Sequence, residues 1–174
     1  PSPIARFVPA RDRCVAGFDA TSTLHDFRGF TKNVSGEIRF DKDRLEETAS
    51  AEIVVDVRTL DTGEPERDQE MREEHLEVSK YPQMKFTLTR FRRSDPAGRF
   101  VLNGAIEIHG TSREVELPGT FELRPDGWLH VKGDLAAKMS DFGIAPPVTA
   151  LVLRVGDEIK IWFEVWARPE RNSP

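Results

Sequence analysis

The stretch Ile159-Lys160-Ile161-Trp162-Phe163-Glu164-Val165-Trp166-Ala167-Arg168 alternates strictly between apolar and mixed residues. Ile159, Ile161, Phe163, Val165 and Ala167 fall on one face, while Lys160, Trp162, Glu164, Trp166 and Arg168 fall on the other. A period of two places these sets on opposite sides of an extended chain, so the segment reads as a long strand with one dry face. Working outward, the same period returns at Ala51 to Arg58, at Phe100 to Ile108 and at Leu129 to Ala137. Shorter alternating runs occupy Cys14 to Phe18, Ile38 to Phe40, Met84 to Leu88, Val115 to Leu123 and Leu151 to Val155.

Ser35-Gly36, Asp95-Pro96-Ala97-Gly98, Pro125-Asp126-Gly127 and Gly156-Asp157 carry the residue types of tight reversals, and are read as hairpin turns. Short connections make sequence neighbours antiparallel partners. About eight strands, each with one apolar face, need closure to bury that face and remove open edges. The reading is therefore all-β: one domain over residues 1–174, an extended antiparallel barrel. One segment departs from the period of two. Pro65 and the acids after it open a short helix around residues 65–77, whose apolar content is limited to Met71, Leu76 and the body of His75.

Composition narrows the function. The chain has 174 residues and a formal net charge of −5, with no basic cluster interleaved with aromatics. Nucleic-acid binding, which neutralises phosphates with a basic face, is not expected. No apolar run approaches the roughly 18 residues of a spanning helix, so stable membrane insertion is not expected either. Cys14 is the one cysteine, which rules out an intrachain disulfide. Localisation stays open: periplasmic or secreted if a leader preceded Pro1, cytoplasmic otherwise.

The inward face mixes large residues (Phe18, Phe40, Phe86, Phe100, Phe121, Phe163) with small ones (Ala16, Ala51, Gly104, Gly133, Ala137). Small residues in mid-strand either leave volume or mark bends, so a hollow lumen and a filled core are both open on composition. In a hollow lumen, Phe18, Leu24, Phe27, Phe40, Met71, Met84, Phe86, Phe100, Ile106, Leu135, Ile161 and Phe163 are the candidate ligand contacts. Burying about 500 Å² of apolar ligand contributes on the order of 12 kcal/mol gross. Association costs roughly 4 to 15 kcal/mol, so a long hydrophobic chain can bind there and a small polar metabolite cannot.

Several segments together resemble a known family. They are Phe18 with Ser22-Thr23-Leu24-His25-Asp26-Phe27 and Gly29, Gly36-Glu37-Ile38, Leu60-Asp61-Thr62-Gly63, and Arg67-Asp68 to Met71-Arg72. Tyr81-Pro82 before Phe86, Gly104 to Val115 and Ser140-Asp141-Phe142-Gly143-Ile144 complete the set. Their order resembles the YceI-like, lipocalin-like polyisoprenoid-binding proteins over Phe7 to Ala167. The resemblance implies a barrel with a long hydrophobic lumen for a polyprenyl or quinone-type tail, bound for transport or storage. It also implies a bacterial protein, often periplasmic and often a homodimer, with the bound lipid in place of any cofactor. The charges around Arg39 to Glu47 and Arg90 to Arg99 depart from typical members and leave the surface partners open.

The polar candidates are His25, His109, Arg113 and Asp141, each either a contact for a ligand head or a structural group. For His109 to Arg113 the structural alternative, a turn with side chains bonded to backbone carbonyls, weighs more. Ser22, His25 and Asp26 include the residue types of a hydrolytic triad, but adjacency in sequence does not orient a base, and no Gly-x-Ser-x-Gly elbow is present. No catalytic residue is assigned; a barrel isomerase or hydrolase acting on a hydrophobic substrate is the alternative function. The histidines His25, His75, His109 and His130 lack metal-ligand spacing, so no metal is expected. Trp162 and Trp166, on the outer face, are read as covered by the helix or by a second copy, with the lumen as a third place for them.

Overall fold

The computed structural model describes residues 3–94, 97–149 and 153–170. Eleven strands form one antiparallel sheet: β1 (Ala5–Pro9), β2 (Val15–Ser22), β3 (Phe27–Thr31), β4 (Val34–Phe40), β5 (Ser50–Asp56), β6 (Gln83–Ser94), β7 (Arg99–Ile108), β8 (Thr111–Leu123), β9 (Leu129–Lys138), β10 (Val148–Thr149) and β11 (Leu153–Pro169). The path β1-β4-β5-β6-β7-β8-β9-β11 returns to β1, which closes an eight-stranded barrel. The alternation in β11 falls as expected, with Ile161, Val165 and Ala167 buried inside.

Closure is not uniform along the axis. At one end β1 joins β11 through Phe7↔Pro169 and joins β4 through Phe7↔Ile38. Further along, β2 takes the place of β1 beside β11, pairing from Glu164↔Val15 to Val155↔Ser22, and β3 follows β2. Among the described residues the far edge of β3 carries one isolated bridge, between Phe30 and Asp61, and a hydrogen bond between the Thr31 and Thr59 hydroxyls. There the wall is completed by a 3-10 turn at Val57–Thr59, then helix α2 (Pro65–Glu70), which runs on as a π turn over Met71–His75. Another short helix, α1 (Leu45–Thr48), precedes β5 and was not anticipated in the sequence.

Two of the expected turns are not turns. Ser35-Gly36 lies inside β4, where Gly36 (φ +125°) sits so close to Glu52 that a Cβ would fall 1.9 Å from its carbonyl oxygen. Glycine is needed there for close approach of two strands, which leaves the same mark on a sequence as a reversal. Gly156-Asp157 lies inside β11, where the register against β2 shifts between Val155 and Ile159, a bulge. Pro125-Asp126-Gly127 does reverse the chain, with Gly127 at φ +89°. Asp95 and Pro96, of the remaining expected turn, and Leu151 and Val152 of the expected short strand lie outside the described residues.

Inside, the end closed by β1 is filled. Phe7 stacks on Phe40 (centroids 4.9 Å), and Phe40, Phe91 and Phe100 meet Phe121 at 5.2 to 5.6 Å. Phe40 and Leu129 are almost wholly withdrawn from solvent, at 1% and 0% exposure. Gly104 and Gly133, which the sequence left open as either volume or bends, are covered: added Cβ atoms would come within 2.8 Å of Phe86 and 2.7 Å of Phe163. A ring edge occupies the place of each missing side chain, so here small residues accommodate large ones.

Candidate functional site

The volume lies at the other end, beneath α2 and the π turn. A cavity of about 400 Å³ is bounded by β2, the end of β5, Met84, Ile108, the 3-10 turn Met139–Phe142, Ile144 and the bulged part of β11. That size is within the roughly 300 to 1,000 Å³ of small-molecule sites. Its body is apolar, with Val55, Val57, Leu60, Ile108, Ile159 and Ile161 among the walls. Its polar lining residues, His25, Glu64, Glu66, Arg67, Glu70 and His75, belong to the β2–β3 loop and the helical segment. Leu24, 65% exposed on the β2–β3 loop, also lines the cavity.

The order of residues from Leu60 to Arg72 is explained by a clasp that holds this helical segment in place. Asp68, buried at 4% exposure, accepts from the Thr62 amide (2.9 Å) and hydroxyl (2.6 Å). Burial raises its pKa, but the Thr62 donors, aided by Arg72, outweigh that and hold it below the ordinary carboxylate value. Arg67 donates to the Thr62 hydroxyl (2.8 Å) and carbonyl (3.0 Å) and lies over the Phe27 ring at 4.5 Å. Arg72 donates twice to the Leu60 carbonyl, at 2.6 and 3.1 Å. Polar side chains on one face of a short helix thus satisfy a loop, and the other face, Met71 and Leu76, roofs the cavity.

Two histidines tie the far end of the roof to the barrel. His75 Nδ1 is 2.8 Å from the Ala145 carbonyl, and its Nε2 is 3.5 Å from Glu70. His109 Nε2 is 2.6 Å from Glu77, its Nδ1 is 3.2 Å from the Phe142 carbonyl, and its ring packs on Tyr81. His109 (φ +54°) and Gly110 (φ +72°) are both left-handed and form the two-residue turn between β7 and β8. Gly143 (φ +69°) ends the 3-10 turn and frees Ile144 to enter the cavity.

Of the twelve apolar candidates, Phe18, Leu24, Phe27, Met71, Met84 and Ile161 line the cavity. Phe40 and Phe100 belong to the filled end, Phe86, Leu135 and Phe163 pack against it, and Ile106 is buried beside the cavity without lining it. Among the polar candidates only His25 borders the cavity. His109 bonds Glu77 and the Phe142 carbonyl, Arg113 donates to the Asp141 carbonyl (2.9 Å), and Asp141 lines a separate groove. The Ser22 hydroxyl bonds the backbone amide and carbonyl of His25 rather than its ring, a local turn and no triad. Residues the sequence did not single out, Val55, Leu60, Phe142 and Ile144 among them, complete the walls.

The tryptophans are covered by neither the helix nor the lumen. Trp162 donates to Asp19 (3.0 Å) under the Arg28 guanidinium at 4.6 Å. Trp166 stacks on His130 (3.8 Å), with Arg13 at 4.7 Å on its ring. Both indoles are half-buried by the barrel's own polar side chains, since long arginines carry enough apolar stem to cover an aromatic face.

A family model described as "YceI-like domain" matches residues 9–167. The chain belongs to the YceI-like family. Among solved structures, this YceI-like chain is similar to BcnA of Burkholderia cenocepacia (TM-score 0.80, 20% identity, covering 91% of this chain and 98% of that one). It is also similar to a polyisoprenoid binding domain from Saccharophagus degradans implicated in plant cell wall breakdown (0.75, 14%, 97% and 100%). A third is the YCEI protein of Campylobacter jejuni (0.66, 22%, 83% and 85%). At these identities the likeness establishes the YceI-like fold. No curated protein matches the chain.

Proposed function

We propose that this YceI-like barrel binds and carries a long hydrophobic lipid, of polyisoprenoid or quinone type, for transport or storage. The observation that carries the reading is the split of the interior: one end packed solid with phenylalanines, the other an apolar cavity with polar groups only around its roof and loops. Phe18, Leu24, Phe27, Met71, Met84 and Ile161 are the proposed tail contacts, and His25 the polar group nearest a head. Branched aliphatic and phenyl walls offer dispersion contacts and no hydrogen bonds, so they favour hydrocarbon over any polar solute. The description of the Saccharophagus domain as polyisoprenoid binding supports the same ligand class.

Organic extracts of protein purified from its host, analysed by mass spectrometry, are expected to contain a prenyl lipid. Added octaprenyl compounds are expected to raise the melting temperature, because a ligand bound only by the folded state stabilises it. An empty extract together with an unchanged melting temperature would overturn the proposal.

A further inference from the structure

Resting on that reading, we infer that the cavity mouth sorts lipids by the charge of the head: it accepts an uncharged or cationic head and turns away a phosphate. The segment over the cavity, residues 64–77, carries seven carboxylates against two arginines. Three of those carboxylates, Glu64, Glu66 and Glu70, line the cavity directly. The cations that could answer an anionic head are already engaged. Arg67 spends two donors on Thr62, lies with its third nitrogen 3.8 Å from Glu64, and has one face on Phe27. Arg72 is held by the Leu60 carbonyl. His75 sits between the Ala145 carbonyl and Glu70.

Phosphate recognition needs convergent unspent donors, either a guanidinium fork or free amides with no acid beside them. The first turn of α2 already carries Glu66 and Asp68, and the Asp68 carboxylate is folded back onto the Thr62 amide. A phosphate entering here meets like charge and finds no fork. A hydroxyl, a carbonyl or an amine meets the opposite situation. Glu66 has no ion-pair partner among the described residues, and the His25 ring, on the β2–β3 loop, has none to its nitrogens. The Glu66 carboxylate accepts from an amine or hydroxyl, and the His25 ring N–H can donate to a neutral oxygen.

The test holds the tail constant and changes the head. Farnesol, farnesylamine and farnesyl phosphate are measured by equilibrium dialysis against the whole chain near neutral pH, at about 20 mM and about 500 mM salt, where screening differs strongly. Farnesol and farnesylamine are expected to bind at least tenfold more tightly than farnesyl phosphate at low salt, with the gap shrinking at high salt. In a Glu66→Gln, Glu70→Gln double variant the farnesyl phosphate affinity is expected to rise severalfold and its salt dependence to weaken, which narrows the gap to farnesol. Equal or tighter binding of the phosphate by the wild-type chain overturns the charge rule and leaves lipid carriage standing. Failure of all three to bind overturns lipid carriage itself, and the charge rule with it. The wild-type ranking and its salt dependence decide the matter even where the double variant melts early.

Discussion

The two ends of the barrel are built from the same alternating strands and differ in what closes them. Where β1 bridges β11 and β4, the wall is strand throughout and Phe7, Phe40, Phe91, Phe100 and Phe121 fill the interior with rings 4.5 to 5.6 Å apart. Where β2 replaces β1, strand pairing runs out at β3, and a helical segment spans the remainder. A helix presents its roof side chains about once per turn, so Met71 and Leu76 supply the apolar part of the roof, Glu66, Glu70 and His75 its polar part, and Asp68 and Arg72 bond the loop. Strand alternation decides which side chains point in. The closing element decides whether they meet across the middle.

Truncation separates the two ends most sharply. Phe40→Ala removes a ring that is 1% exposed and touches Phe7 and Phe121, and the expected cost is about 3 to 5 kcal/mol in urea unfolding. Met84→Ala, at the wall of a space that is already empty of protein, is expected to cost under about 2 kcal/mol. Comparable losses, or the reverse order, would show that the phenylalanine end is not where stability is concentrated.

Filling is the converse experiment. Met84→Trp adds a large apolar side chain where the cavity has room, so lipid affinity is expected to fall at least tenfold in dialysis with farnesol, with stability changed by no more than about 1 kcal/mol. The same enlargement at Phe91, 3% exposed among other rings, is expected to destabilise by about 1 to 3 kcal/mol and leave binding alone. Undiminished farnesol binding by the Met84 variant would remove the cavity from the argument.

The barrel and its helix were legible in the sequence because both rest on local signals: the period of two in Ile159 to Ala167, and Pro65 followed by acids. The extent of the cavity was not. Phe18 and Phe40 have the same residue type on the same kind of strand, yet Phe18 lines the void and Phe40 plugs the barrel, because the difference lies in which non-neighbouring segment sits opposite. Gly104 and Gly133 stayed undecided for a related reason, since the rings that cover them come from other strands, Phe86 and Phe163. The Thr62 to Arg72 order was visible as a motif, but its work as a clasp depends on Asp68 and Arg67 reaching back to one threonine. Asp68→Ala tests that clasp. Leaving the Thr62 amide unpaired is expected to cost about 1 to 3 kcal/mol, with amide exchange quickening across residues 62–77 while β8 and β9 keep their protection. Exchange that quickens evenly over the whole chain would show that the roof and barrel open as one unit.

The weakest expected effect concerns the other end of the roof, where Glu77 meets His109. The His109 hydrogen bond, with a further contribution from Lys80, holds the Glu77 carboxyl below its ordinary value of 4.5. A carboxylate whose pKa is lower folded than unfolded adds stability that is fully present above the unfolded value. That stability is lost as pH falls through the folded one. Other carboxylates, Asp19, Glu37 and Asp157 among them, are also held low by their partners, so the whole chain weakens in acid and a single melting curve cannot isolate the latch. The difference between wild type and Glu77→Gln can. Glutamine keeps the shape and loses the charge, so the variant is expected to melt lower near neutral pH and to converge on the wild type as pH falls below the ordinary 4.5 and through the lowered value. A melting-temperature difference that stays constant from pH 7 to pH 3 would mean that the carboxylate charge does nothing at this contact, and that the roof is held by the Asp68 clasp and the packing of Met71 and Leu76 alone.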